Sequence, residues 1–344
     1  MKHRCLYLAG ICGVLGQATA TARELRYAAD FMDLGVGVRE LAMGSTAALA
    51  RGGSADWWNA SRLSSVRGDE IGLHHTFYGG GLASLDYAGY ARPLGGAMIV
   101  SVSVLRFAVD AIPRYDQSLD PKGRAERESN VSARPSGDPS GYFDAQDLGF
   151  RLSLARRSER IVDFGWLYSP FPLATGFGGS IKYISQSLDD NIAVGLGGDL
   201  GAHVRIGAAE MIGFDALGDA ALGVALIDIA GTQITWDTAS RSKASLPMRV
   251  RLDLGYSQPF PAFSSELNLT WGEVWDLQDG GRNDKGMGAE WSFKNMVALR
   301  VGEHRGDLTA GAGFRAWKVE VDYAFLSAEA LENHRIDLTF YPWD

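Results

Sequence analysis

The chain has 344 residues, with 41 Asp and Glu against 33 Lys and Arg for a formal charge of −8, and it carries 43 glycines beside 9 Trp, 12 Tyr and 15 Phe. The acidic balance argues against nucleic acid as a partner. No apolar run after the opening residues approaches the ~20 that a membrane-spanning helix needs.

The opening residues read as a secretory signal peptide, residues 1–22. A basic tip, Lys2-His3-Arg4, leads into the apolar run Cys5 to Gly16 and then into Ala18-Thr19-Ala20-Thr21-Ala22, which offers cleavage after Ala20 or Ala22. Ile11 before Cys12 is a poor lipoprotein pattern. Both cysteines lie in the part removed, so the mature chain is expected to hold no disulfide and no cysteine metal site.

Residues 23–68 do not alternate. Small residues such as Gly35, Gly37, Gly44 and Ala47 permit tight packing there, and Leu41, Met43 and Leu49 are placed for a short helix face. A separate domain this small would be marginal. Inside a barrel lumen the same stretch becomes a plug.

From residue 69 onward the period is two. In "KVEVDYAF" Val319, Val321, Tyr323 and Phe325 oppose Lys318, Glu320 and Asp322; "RVRLDLGY", "ELNLTW" and "RIDLTF" repeat the pattern. Charges on one face of so many strands would be ruinous in a dry core and are normal in a wet lumen. The segments fall at 70–78, 81–92, 96–108, 144–156, 174–186, 192–207, 220–230, 246–257, 263–272, 286–293, 296–303, 307–316, 317–326 and 333–342. The fold class is therefore all-β, a transmembrane antiparallel barrel of about fourteen strands over residues 69–344, an even number as is usual for such barrels.

The connections divide as a barrel with periplasmic termini requires. The stretches 92–95, 258–262, 294–295 and 316–317 are short, whereas 109–143, 231–245, 272–285 and 327–333 are longer and polar. Two exceptions are 208–219 and the apolar 157–173. The latter reads as an extra hairpin or an interfacial segment, and its Trp166, Tyr168 and Phe171 are the candidate apolar ligand segment.

Chemistry is sparse. His74 and His75 are neighbours on one strand and point to opposite faces, so they cannot share a metal. Nothing matches H-E-x-x-H or G-x-S-x-G, and "GLGGDLG" at 195–201 lies in a strand, where close packing explains its glycines. The acidic stretch Glu273, Asp276, Asp279 and Asp284, and the basic loop residues Arg114, Lys122, Arg124, Arg127 and Arg134, read as solvated loops. A non-enzymatic protein with no cofactor and no metal is expected.

The order of several motifs resembles the PorV/PorQ outer-membrane proteins, which are related to the FadL fatty-acid channels. "FMDLGVGVRELAMGSTAALA" is similar to the family's opening segment, with Gly-x-Gly-x-Arg ending at Arg39 and Met-Gly at Met43-Gly44. "WWNASRL" is similar to its Trp-Asn-Pro-Ala-Gly-Leu element, with Trp58, Asn59 and Leu63 in place and Ala60 and Arg62 where proline and glycine would stand. "GGSIKYISQSL", "LPMRVRLDLGY", "VALRVGEHRGDLTAGAGF" and "NHRIDLTF" continue the likeness to the C-terminal end.

The resemblance implies plug or gating roles for Arg39, Met43, Gly44, Trp57, Trp58, Asn59 and Leu63. Trp57 and Trp58 would wedge the plug against the inner wall, or else anchor at the periplasmic interface. It also implies a bacterial outer-membrane protein in contact with lipid. On a PorV-like reading it binds subunits and secreted clients of a type IX-like export machine through loop 109–143. On a FadL-like reading it passes a hydrophobic small molecule.

Overall fold

The computed structural model describes residues 29–78, 80–114, 139–163, 165, 170–214, 216–277, 283–327 and 333–342. The signal-peptide reading falls outside them, as do Trp166 and Tyr168 and the basic loop beyond Arg114.

Strand formation follows the period-two pattern. Sixteen strands are described: β1 (Glu70–Tyr78), β2 (Ala83–Gly95), β3 (Met98–Arg114), β4 (Gly141–Val162), β5 (Phe171–Leu188), β6 (Asn191–Gly207), β7 (Asp219–Ile227), β8 (Thr232–Trp236), β9 (Lys243–Leu246), β10 (Arg249–Phe260), β11 (Ser265–Asp276), β12 (Asn283–Phe293), β13 (Val297–His304), β14 (Asp307–Ala316), β15 (Val319–Leu326) and β16 (Asn333–Phe340). Fourteen close into an antiparallel barrel. β1 pairs with β16, with Ile71 opposite Phe340, and β5 pairs with β6, so the ring keeps no open edge. β8 and β9 form a hairpin on the outer continuation of β6, while β7 pairs directly with β10.

Alternation sorts the side chains between two solvents. On β15, Glu320 and Asp322 are buried toward the lumen while Val321 and Tyr323 face out. On β10, Arg251 and Asp253 are buried and Leu254 is exposed. Leu73, Leu152, Ile181, Leu200, Leu222, Leu269, Leu299 and Leu338 continue the outward band around the ring. An apolar band that circles a molecule is membrane-facing surface, because water would leave so large a patch uncompensated.

The wall differs from expectation at its taller side. Residues 157–173 are mostly strand: β4 and β5 stay paired from Ser158↔Thr175 to Val162↔Phe171, so no extra hairpin is inserted in the ring. Alternation puts Phe171 on the outward face with Phe177 and Ile181, yet Phe171 is buried where those two are exposed. The 208–219 connection is long because it holds a short helix, α1 (Ala208–Ile212), which packs on β5, β6 and β7. Loop 109–143 is shorter than its sequence suggests, since β3 runs to Arg114 and β4 starts at Gly141, with a bulge between Val109 and Ile112. Glu273, Asp276 and Asp284 are strand residues.

Candidate functional site

Residues 29–66 run inside the ring. They form 3-10 turns at Asp30–Asp33, Gly53–Trp57 and Ala60–Ser65 and one short helix, Val38–Ala42. Every residue from Val36 to Ala50 is buried. The helix is shorter than Leu41, Met43 and Leu49 would suggest: Leu49 lies beyond it, since the chain turns at Gly44, whose φ is +71°.

The wall receives this segment on glycines. Gly286, Gly288 and Gly302, on the inner faces of β12 and β13, lie under the backbone of Met43 and Gly44. A Cβ on Gly286 would collide with the Gly44 carbonyl, and one on Gly288 with the Met43 carbonyl. Gly44 is itself constrained, because a Cβ there would meet the carbonyls of Met287 and Glu303. Across the lumen Gly178 lies under Ala60, where a Cβ would stand 2.5 Å from its carbonyl oxygen, and Gly201 lies under Asn59. Backbone reaches backbone only where side chains are absent.

Asn59 builds the turn that opens residues 60–65. Its Oδ1 accepts from the Ser61 N–H at 3.0 Å and the Ser61 hydroxyl at 2.7 Å, capping residues 60–65. Its Nδ2 donates to the carbonyls of Val224, at 3.2 Å, and Ala202, at 3.4 Å, tying the cap to β7 and β6. Leu63 is fully buried with Val66, Ala91, Ile99 and Ala155.

The tryptophans are both inside the barrel. Trp57 Nε1 donates to Ser103 Oγ at 3.3 Å, its ring meets Tyr87 edge-on at 6.1 Å, and the Arg151 guanidinium lies 5.0 Å from its centroid. Trp58 Nε1 donates to the Val36 carbonyl at 2.6 Å, and Arg251 covers its ring at 5.1 Å. Trp57 ties the segment to the wall; Trp58 ties it to itself and lies under Arg251 of β10.

Charge fixes what packing leaves free. Arg39 donates two parallel hydrogen bonds to Glu290, from Nη2 at 2.7 Å and Nε at 2.9 Å, and a third to the Leu49 carbonyl at 2.7 Å. Glu290 also accepts from Arg300 Nε at 2.6 Å, and Arg300 pairs with Asp322. Elsewhere the Ala47 N–H donates to Asp253 at 2.9 Å, Arg249 pairs with Asp33 at 2.6 Å, and the Thr46 and Thr270 hydroxyls meet at 2.6 Å.

These surroundings move the titrations of the segment. Burial pushes the Glu40 carboxyl up, with Arg39 opposing, and it does the same to Asp56 against Arg151 and the hydroxyls of Ser153 and Ser101. Arg62 is lowered to about 10 by burial and by neighbouring Arg205 and Arg39, while its guanidinium donates to the Ala50 carbonyl at 2.9 and 3.0 Å. For Arg39 burial pulls down, but Glu290 outweighs it and the pKa ends raised.

The residues that this segment meets on the wall were not legible in the sequence. Arg151, which donates to the Asp56 carbonyl, and Glu290 were not singled out, nor were Lys182, Asp199 and Arg300, which pair with or beside them. Their only signal is inner-face parity within a strand, which says that a residue is lumenal and not what it touches. Among the described residues no His, Cys, Asp and Glu group is arranged to hold a metal.

Two cavities flank the segment. One, of about 40 Å³ at the end of the barrel where the chain enters, is lined by Glu40, Glu70, Glu320, Asp322 and Asp337 against Arg39 and Arg51. The other, of about 90 Å³ on the loop side, has Trp57 and Trp58 in its lining.

No family model and no curated protein matches the chain. Among solved structures it is similar to a TodX deltaS2S3 mutant, described as a monoaromatic hydrocarbon channel. That match has 11% identity and a TM-score of 0.49, covering 89% of this chain and 97% of that one. The Pseudomonas putida toluene transporter TodX matches at 10% identity and a TM-score of 0.43, over 89% and 96% of the two chains. The Acinetobacter baumannii outer membrane protein Omp33 matches at 8% and 0.40, over 80% and 97%.

Proposed function

We propose that this chain is a non-enzymatic barrel of the bacterial outer membrane that passes small molecules, and that residues 29–66 are its plug. The observation that carries the reading is the seating of the segment. Glycine tracks of β5, β6, β12 and β13 accept its backbone, and ion pairs hold it to β10, β12 and β15, yet a cavity remains on either side. A segment that served only to fill a core would not need a lumen lined with paired charges, which stay hydrated when it shifts.

Arg39, Met43, Gly44, Trp57, Trp58, Asn59 and Leu63 are the plug residues on this reading, with Arg39–Glu290 as the contact that must break for passage. The export reading has its support in the motif order and the polar loop after Arg114, and no contact among the described residues adds to it. Phe171, buried in β5, lines neither cavity, which leaves the cavities themselves as the places for cargo.

Swelling of proteoliposomes in small neutral solutes tests passage. The chain is expected to admit arabinose-sized solutes slowly and to admit them faster when Arg39→Met loosens the plug. Equal rates with and without the protein, for both forms, would remove the channel reading.

A further inference from the structure

The loop-side cavity has an uneven distribution of charge. Arg151, Lys182, Arg249, Arg251 and Arg305 line it, whereas only two carboxylates, Asp33 and Asp284, do so. The remaining counter-ions stand behind these cations. Asp199 pairs with Arg151 at 2.6 Å, Asp228 with Lys182 at 2.7 Å, and Asp253 with Arg251 at 2.7 Å, and all three carboxylates are buried outside the lining. Each pair is therefore a dipole with its positive end toward the cavity. The Nε–H groups of Arg151 and Arg249 have no hydrogen-bond acceptor among the described residues. Trp57, Trp58, Met32 and Val274 supply apolar surface beside them.

We propose that this cavity binds a small organic anion, a carboxylate carried on a compact apolar body. The carboxylate faces the guanidinium groups of Arg249, Arg251 and Arg305 and takes the donors not already given to Asp33, Asp228, Asp253, Ser45 and Asp284, and the body rests on the indoles. Preorganised dipoles stabilise such a charge without having to turn toward it, and the low dielectric of a closed lumen strengthens them. The opposite cavity is carboxylate-faced, so the preference belongs to the loop side alone. The proposal deepens the passage reading by naming a cargo class, but it concerns binding and is testable without transport.

Equilibrium dialysis of the detergent-purified full chain against labelled benzoate, with benzyl alcohol and benzylammonium as competitors, tests it. Saturable binding of one benzoate is expected, with neither competitor displacing it at equal concentration. Asp284 and Arg305 pair at the partly exposed rim and allow the sign to be checked with little risk to folding. Asp284→Asn should tighten benzoate binding and Arg305→Gln should weaken it, each by about tenfold, which is ~1.4 kcal/mol. A merely structural role would move both variants the same way. Non-saturable binding, displacement by benzyl alcohol, or matching responses of the two variants would overturn the proposal. Solute passage that persists alongside any of those results would leave the channel reading standing.

Discussion

Single residues here are selected by what stands opposite them across the lumen. Gly288 shows this: its missing Cβ is the space occupied by the Met43 carbonyl. Gly288→Val should leave the barrel folded, seen as fast migration on unheated gels, while making residues 29–66 cleavable by added protease; continued protection would mean that the track is not a seat. Asp56 supplies a second residue-scale expectation. Burial raises its folded pKa above the unfolded value, so its contribution to stability is complete below about pH 4 and is lost as pH rises through the raised folded value. Thermal stability should therefore fall across that window in the wild type and fall less in Asp56→Asn, which keeps an oxygen for Ser101 and Ser153. Matching pH profiles would assign the dependence elsewhere.

At the scale of elements, the contacts of residues 29–66 and the strands of the wall were unequally legible. Wall strands announce themselves because period two is local: Glu320 and Asp322 against Val321 and Tyr323 can be read in a few residues, and β15 lies where that reading put it. The faces of a strand follow from parity, but partners of Arg39 do not, since Glu290 is 251 positions away and nothing near either residue points to the other. Strand ends were also obscured, as at Val162 and Phe171, where pairing between neighbours extends β4 and β5 past the alternating stretch. The Arg39–Glu290 contact is the one on which the plug should depend most. Arg39→Met leaves Glu290 buried with Arg300 as its remaining cation and should reduce stability by about 3–5 kcal/mol in a urea titration. A double variant, Arg39→Met with Glu290→Met, should recover a good part of that loss; no recovery would mean that the pair is not coupled.

For the whole molecule, much of the glycine and aromatic richness follows from the two faces of the wall. A wall that must meet lipid outside and a packed segment inside places large apolar side chains on its outer face and removes them from the inner face wherever backbone passes. If the outer band faces lipid, Val301→Arg, near the middle of β13 and exposed, should lower stability in lipid vesicles by about 2–4 kcal/mol. In a water-facing wall the same change would be nearly neutral. The central claim is that residues 29–66 close the lumen and must move for passage. The Thr46 and Thr270 hydroxyls, 2.6 Å apart across the plug and β11, allow a direct test once Cys5 and Cys12 are replaced by serine. Single-channel recording of the Thr46→Cys, Thr270→Cys protein in a planar bilayer should show a silent channel when oxidised and discrete openings when reductant is added to the same membrane. Conductance that is unchanged by locking and releasing that bond would contradict the account.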